Sequence, residues 1–245
     1  MGALSNTEVG KYLNEYFVSS FQKVATFRIV GAAKQGGNVA GYFCAPDGRV
    51  LHVVAGPVDA ATMLRESKWV VETAKSAIAR SKGDGAEFKA IFRTAHAKKL
   101  KDDFGLVVTP VTFDAPEPDP KSALTYSDPT GAPIAPKLPP PPIDGPDVSI
   151  RPEAMKAKQD FAANAPGAAR MLDRKGRGWV LGTQGRVHMI MAAHSMAKIE
   201  TVYGSVFENI LGEKISTKPV EVVKPFSWMN KDGTRVRVEV IKAGG

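Results

Sequence analysis

Eleven of the chain's eighteen prolines fall within residues 111–150, including the run Pro139-Pro140-Pro141-Pro142. Proline has no amide hydrogen and fixes φ, so this stretch excludes a helix interior or a central strand. It is expected to be extended, partly polyproline II, and to act as a semi-rigid spacer. Charge divides the chain at the same places. Residues 1–110 carry a net +5, residues 111–150 a net −4 and residues 151–245 a net +7, within an overall +8. The expected organisation is therefore a first domain over 1–110, a proline-rich acidic linker over 111–150 and a smaller α+β domain over 151–245. The acidic spacer can lie against either basic flank.

Hydrophobic residues make up 43% and charged residues 24% of the 245 residues, ordinary globular usage that excludes wholesale disorder and a fibrous protein. No apolar run approaches the roughly 20 residues a membrane-spanning helix needs, so no span is expected. Residues 1–6 lack a basic region followed by an apolar stretch, so no secretory signal is expected. Together with the scarcity of cysteine, this points to the cytoplasm. One cysteine, Cys44, excludes an internal disulfide, a Cys-x-x-Cys pair and a Cys-rich zinc site.

In the first block, Ser5 and Glu8 have capping-box spacing, and Val9, Tyr12, Leu13 and Phe17 recur with helical period. They predict a helix to about Tyr16. Residues 17–30 read as one or two strands, and 31–38 as a glycine-rich loop. Gly41-Tyr42-Phe43-Cys44-Ala45 and Arg49-Val50-Leu51-His52-Val53-Val54 flank Pro46-Asp47-Gly48, which predicts a hairpin in which Gly48 takes positive φ. Asp59 is placed to cap a helix burying Met63, Trp69, Val70, Ala74 and Ile78. Gly83-Asp84-Gly85 ends that helix, and a second over 86–102 turns Phe88, Ile91, Phe92 and Ala95 inward.

In the last block, Pro152 suits a first helical turn, and 153–163 reads as helix. Residues 166–172 read as another short helix, followed by a basic glycine-rich turn over 173–178. Helices are predicted over 187–193 and 199–211, the latter burying Val202, Tyr203, Val206, Phe207, Ile210 and Leu211. Residues 220–223 and 234–241 read as strands, the last with period-two alternation of charged and apolar side chains.

The succession helix, strand, loop, Pro-Asp-Gly hairpin and helix over residues 4–80 resembles the C-terminal part of the thioredoxin-like fold. The local match is Gly41-Tyr42-Phe43-Cys44-Ala45-Pro46-Asp47-Gly48-Arg49-Val50-Leu51-His52, followed by a helix beginning Asp59-Ala60-Ala61-Thr62-Met63-Leu64. The resemblance implies that the family's Cys-x-x-Cys would precede Ser5 and that Ala40 stands where the family has its cis-proline. A single thiol cannot cycle an intramolecular disulfide.

Cys44 and His52 are the candidate catalytic pair. In the register of a two-residue Asp47-Gly48 loop, Cys44 faces Leu51, and His52 points to the opposite side of the sheet, so Cys44 is expected as a packed core thiol. The four histidines, His52, His96, His188 and His194, form no i, i+4 pair. A metal site would need distant segments, and none is expected. Gly182-Thr183-Gln184-Gly185-Arg186-Val187 reads as a turn and helix start, lacking both the P-loop and the dinucleotide patterns. Arg174, Lys175 and Arg177, with Arg186, are the candidate anion-binding group. Lys98, Lys99 and Lys101 read as a helix end that suits the helix dipole.

These features predict a non-catalytic thioredoxin-like binding or scaffold protein that acts through a protein partner and needs no cofactor. Two alternatives stand beside it. One is a thiol-disulfide oxidoreductase relative whose redox motif is lost or upstream. The other is a binder of nucleic acid or another acidic polymer, suggested by the sequence pI of 9.5.

Overall fold

A computed structural model of the chain describes residues 2–24, 28–30, 33–35, 37–109, 138–139, 141–216 and 221–223. A short 3-10 turn over Ala3–Ser5 leads into α1 (Thr7–Tyr16). Asn6, not the Ser5–Glu8 pair, caps α1: its Oδ1 accepts from the amides of Glu8 and Val9. The Ser5 hydroxyl instead donates to the Gly2 carbonyl. One residue's shift in the cap leaves the helix end at Tyr16 as expected.

Residues 17–24 form no strand. β1 (Arg28–Val30) pairs antiparallel with β2 (Ala33–Gln35) and parallel with β9 (Glu221–Val223). A strand thus stands within the stretch expected to be loop. The expected strand over 234–241 lies outside the described residues.

β3 (Ala40–Cys44) and β4 (Val50–Ala55) form the expected hairpin, with Gly48 at φ +83°. Its register contains a bulge. Phe43 pairs with His52 and Cys44 with Val50, so Leu51 has no residue opposite it. Cys44 therefore faces Val50, not Leu51, because the extra residue shifts the pairing by one. The faces still separate: Phe43 and His52 point one way, Cys44 and Val50 the other.

Every residue of β4 is buried, the pattern of a strand covered on both faces. On one side lie α2 (Ala60–Ser81) and α3 (Gly85–Phe104), each capped by an aspartate, Asp59 and Asp84. There Leu51 and Val54 join Phe43, Met63, Val70, Ile91 and Phe92. Ile78, expected inside, is exposed, and Ala77 takes the buried position. On the other side lie α5 (Thr183–Ala193) and α6 (Ile199–Gly204), the latter continuing in one wide π-type turn over Ser205–Ile210. There Val50, Val53 and Ala55 pack with Val187, Ile190, Val202 and Val206.

The hairpin of the first block and the helices of the last share one core. Residues 110–137 and 140 of the proline-rich stretch lie outside the described residues. The end of the expected linker also belongs to that core. Leu138 is buried in it, and its amide donates to Ser205 Oγ at 2.9 Å. β6 (Ile143–Pro146) pairs antiparallel with β5 (Leu106–Val108). Ile143 is buried with Leu100, Leu181 and Met189.

α4 (Pro152–Ala163) starts on its proline as expected. Residues 166–172, expected as helix, instead turn and form β7 (Ala169–Leu172), which pairs with β8 (Gly178–Leu181). The basic turn explains the difference. Asp173 accepts from the amides of Lys175 and Arg177 and from Trp179 Nε1, and this closes a hairpin between flanking strands. The chain mixes helices with small sheets of two or three strands. Among the described residues no helix is long and apolar enough to cross a membrane.

Candidate metal centre

Three of the four histidines meet in the core. β4 delivers His52, α3 delivers His96 and α5 delivers His188, all fully buried. One ring nitrogen from each lies within 4.8 Å of the others. A tetrahedral ion with bonds of about 2.0–2.1 Å holds its donors roughly 3.4 Å apart, inside the 4.8 Å within which these three nitrogens already lie.

Each histidine stands where its element demands an apolar side chain. His96 continues the inner stripe of α3 four residues after Phe92 and four before Leu100. His188 lies in the buried run of α5, and His52 in the buried run of β4. Glu66 comes from the inner face of α2, between Met63 and Val70. Trp69 of the same helix sets its ring edge-on to His52, His96 and His188, with centroids 5.0, 4.9 and 5.6 Å away.

Hydrogen bonding fixes much of the protonation. A carbonyl only accepts, so His96 Nε2, 2.8 Å from the Leu51 oxygen, carries the hydrogen. His96 Nδ1 is then a lone pair, and it lies 2.9 Å from His188 Nδ1. A proton on His188 Nδ1 makes this a hydrogen bond but leaves His188 Nε2, which has no hydrogen-bond partner, as a bare lone pair 4.0 Å from Glu66 Oε2. A proton on Nε2 instead sets two lone pairs face to face. Either tautomer leaves a buried nitrogen unsatisfied, a costly arrangement in a core. His52 Nε2 lies 3.3 Å from Glu66 Oε2, and its Nδ1 also has no partner. Gln184 of α5 donates to the Val53 carbonyl at 2.8 Å and lies 3.2 Å from His52 Nε2.

Burial, reinforced by the neighbouring imidazoles, holds His96 down to about 3 and His188 well below the ordinary histidine value. Burial also lowers His52, against the opposing pull of Glu66. For Glu66 burial works upward, but the hydrogen bonds from His52 and Lys99 and the Lys99 charge outweigh it and hold the carboxyl below the ordinary carboxylate value. The site is thus three neutral imidazoles beside one carboxylate, the ionisation state that first-row transition metals require of such ligands. His96 donating to a backbone carbonyl is the outer hydrogen bond that orients a ligating imidazole.

The other predicted residues lie elsewhere. Cys44 faces away from His52 and packs beside the Val50 and Val53 cluster; burial pushes its thiol up to about 11. The arginines of the anion-binding group are engaged by groups of the protein itself. Arg174 Nε is 3.4 Å from Asp144, and Arg177 Nε is 2.8 Å from Asp173. Lys175 is exposed on the same turn. Arg186, on α5, donates to the carbonyls of Asn209 and Ile210 at the end of the π-type turn. His194 stays outside the cluster and donates through Nε2 to the Pro139 carbonyl at 2.9 Å.

The expectation of no metal site rests on local spacing, and the fold brings three histidines from distant segments within 4.8 Å of one another. Sequence reasoning missed His96, His188, Glu66 and Lys99. Their one signal was an ionisable residue at an apolar position of an otherwise regular pattern. No family model, curated protein or solved structure matches the chain.

Proposed function

We propose that this chain is a non-catalytic metal-holding protein, in which His52, His96 and His188, with Glu66, bind one divalent transition-metal ion of the zinc class. The observation that carries the reading is the meeting of three fully buried imidazoles, of which His52 and His188 each keep one nitrogen, Nδ1 and Nε2, without a hydrogen-bond partner. A donor set enclosed by protein is the arrangement of a structural ion, and catalytic sites keep a position open. Imidazole with carboxylate, and no thiolate, suits zinc, iron, copper or nickel before magnesium or calcium. The ligands come from the first and last blocks of the chain, so the ion acts as a clamp across the shared core. The clamped fold then acts through its surface on a protein partner. The order of α1, the β3–β4 hairpin and α2 supports retaining the thioredoxin-like reading of residues 4–80. The packed, upward-shifted Cys44 thiol favours binding over thiol chemistry.

The test is ion uptake by the purified full chain after chelator treatment. One equivalent of Zn²⁺ is expected to raise the Tm by roughly 5–10 °C at a hundredfold excess over Kd. Co²⁺ is expected to give the visible absorption of a tetrahedral centre. No uptake and no shift in Tm with either ion would refute the proposal.

A further inference from the structure

Resting on the metal reading, we propose that Lys99 is a displaceable internal counter-ion: it holds Glu66 in the ion-free protein and moves to Asp103 when a divalent ion takes the carboxylate. Lys99 Nζ lies 2.9 Å from Glu66 Oε1 and 2.7 Å from Oε2. Oε2 also faces the imidazoles, 3.3 Å from His52 Nε2 and 4.0 Å from His188 Nε2. A single carboxylate oxygen therefore stands between the ammonium and the histidine cluster. Arg65 donates to Oε1 from the solvent side, at 3.1 and 3.2 Å.

Charge makes the two occupants compete. Lys99 and Glu66 together are neutral, and the three imidazoles add nothing. A divalent ion placed among them repels the ammonium and attracts the same carboxylate. The geometry provides somewhere for the ammonium to go. Lys99 is only 15% exposed, and Asp103, one helical turn further along α3, lies 3.9 Å from Nζ and is half exposed. The long lysine stem can keep its contact with Trp69, whose ring centroid is 5.4 Å from Nζ, while the head swings outward. Ion uptake is then coupled to the exposure of one lysine. Lys99 lowers the affinity of the site, and Asp103 partly restores it.

Two measurements test this on the full chain. The first needs no variant: acetylation of each lysine by an amine-reactive ester is followed by mass spectrometry, with and without Zn²⁺. Labelling of Lys99 is expected to accelerate several-fold on ion addition, with Lys11 and Lys156 unchanged as internal references. The second is competition against a chromophoric chelator. Lys99→Met is expected to bind Zn²⁺ about tenfold more tightly or better, and Asp103→Asn a few-fold more weakly, both at one equivalent. If Lys99→Met fails to fold, the labelling result and Asp103→Asn decide. Wild-type uptake with Lys99 labelling unchanged, or Lys99→Met no tighter than wild type, overturns the counter-ion and leaves the metal reading standing. No uptake by wild type overturns both.

Discussion

His96 Nδ1 and His188 Nδ1 lie 2.9 Å apart, although 92 residues separate them in the chain. The contact joins α3 to α5, which pack directly against one another beside β4. It also brings His52 of β4 into the same group, with centroids 5.4 Å from His96 and 5.0 Å from His188.

Truncating either histidine removes a buried ring and leaves its partner without a contact. His96→Ala also strands the Leu51 carbonyl. Each single variant is expected to lose about 2–4 kcal/mol in urea denaturation. The double variant His96→Ala/His188→Ala is expected to lose clearly less than the sum, since the two share one contact. Strict additivity would show that the rings act independently.

Glu66 is buried, and Lys99 is largely so. Glu66→Gln leaves the ammonium without its carboxylate and is expected to destabilise the ion-free protein by about 3 kcal/mol. Adding Lys99→Met removes the stranded charge and is expected to recover most of that loss. Chemical denaturation of the two variants in chelator decides the matter; a double variant no more stable than the single would locate the loss in packing, not charge.

Asp147 ties the chain after β6 to α3. Its Oδ2 lies 2.6 Å from Lys101 Nζ, and its Oδ1 accepts from the amide and hydroxyl of Ser149. The Lys101 contact first, then Ser149, holds its carboxyl at about 2, below the ordinary 3.8. A carboxyl depressed by folding binds fewer protons in the folded state. Its stabilisation is present above about 3.8 and is lost as pH falls toward 2. Asp147→Asn is expected to flatten the dependence of stability on pH between about 4 and 2 and to leave it unchanged above about 5. Asp173, also held at about 2, keeps its own share of that slope. Denaturation midpoints from pH 2 to 6 provide the measurement, and an unaltered slope would remove Asp147 from the acid response.

Cys44 is packed beside Val50 and Val53, with its thiol at about 11. At pH 7.5 the folded protein is expected to react with a disulfide reagent such as DTNB at least about a hundredfold more slowly than the chain in urea, because the thiolate is the reacting species. Fast stoichiometric reaction of the folded protein would revive the thiol-exchange reading.

Elements with local causes were legible in the residues alone. Asp59 and Asp84 cap helices through their own next few amides. Gly48 turns the hairpin because only glycine takes its φ without strain, and Pro152 opens α4. The inner face of α3 follows its 3.6-residue period, whereas the predicted 199–211 helix widens into a π-type turn after Gly204. Where a local rule had competitors, it misled: Asn6 outcompeted Ser5 for the cap, and the Asp173 turn drew 169–172 into a strand.

What those elements do together depended on how they packed in three dimensions. The sharing of one core by the first and last blocks, and the seating of Leu138 and Ile143 within it, depend on which apolar faces meet. Period and propensity do not encode that choice. The histidine cluster is the sharpest case. His52, His96 and His188 each occupy one apolar position of a separate element, and no spacing between them carries information. Their chemistry exists because packing α3 and α5 around β4 places three polar rings where water cannot reach, and there each ring's neighbours become its only partners.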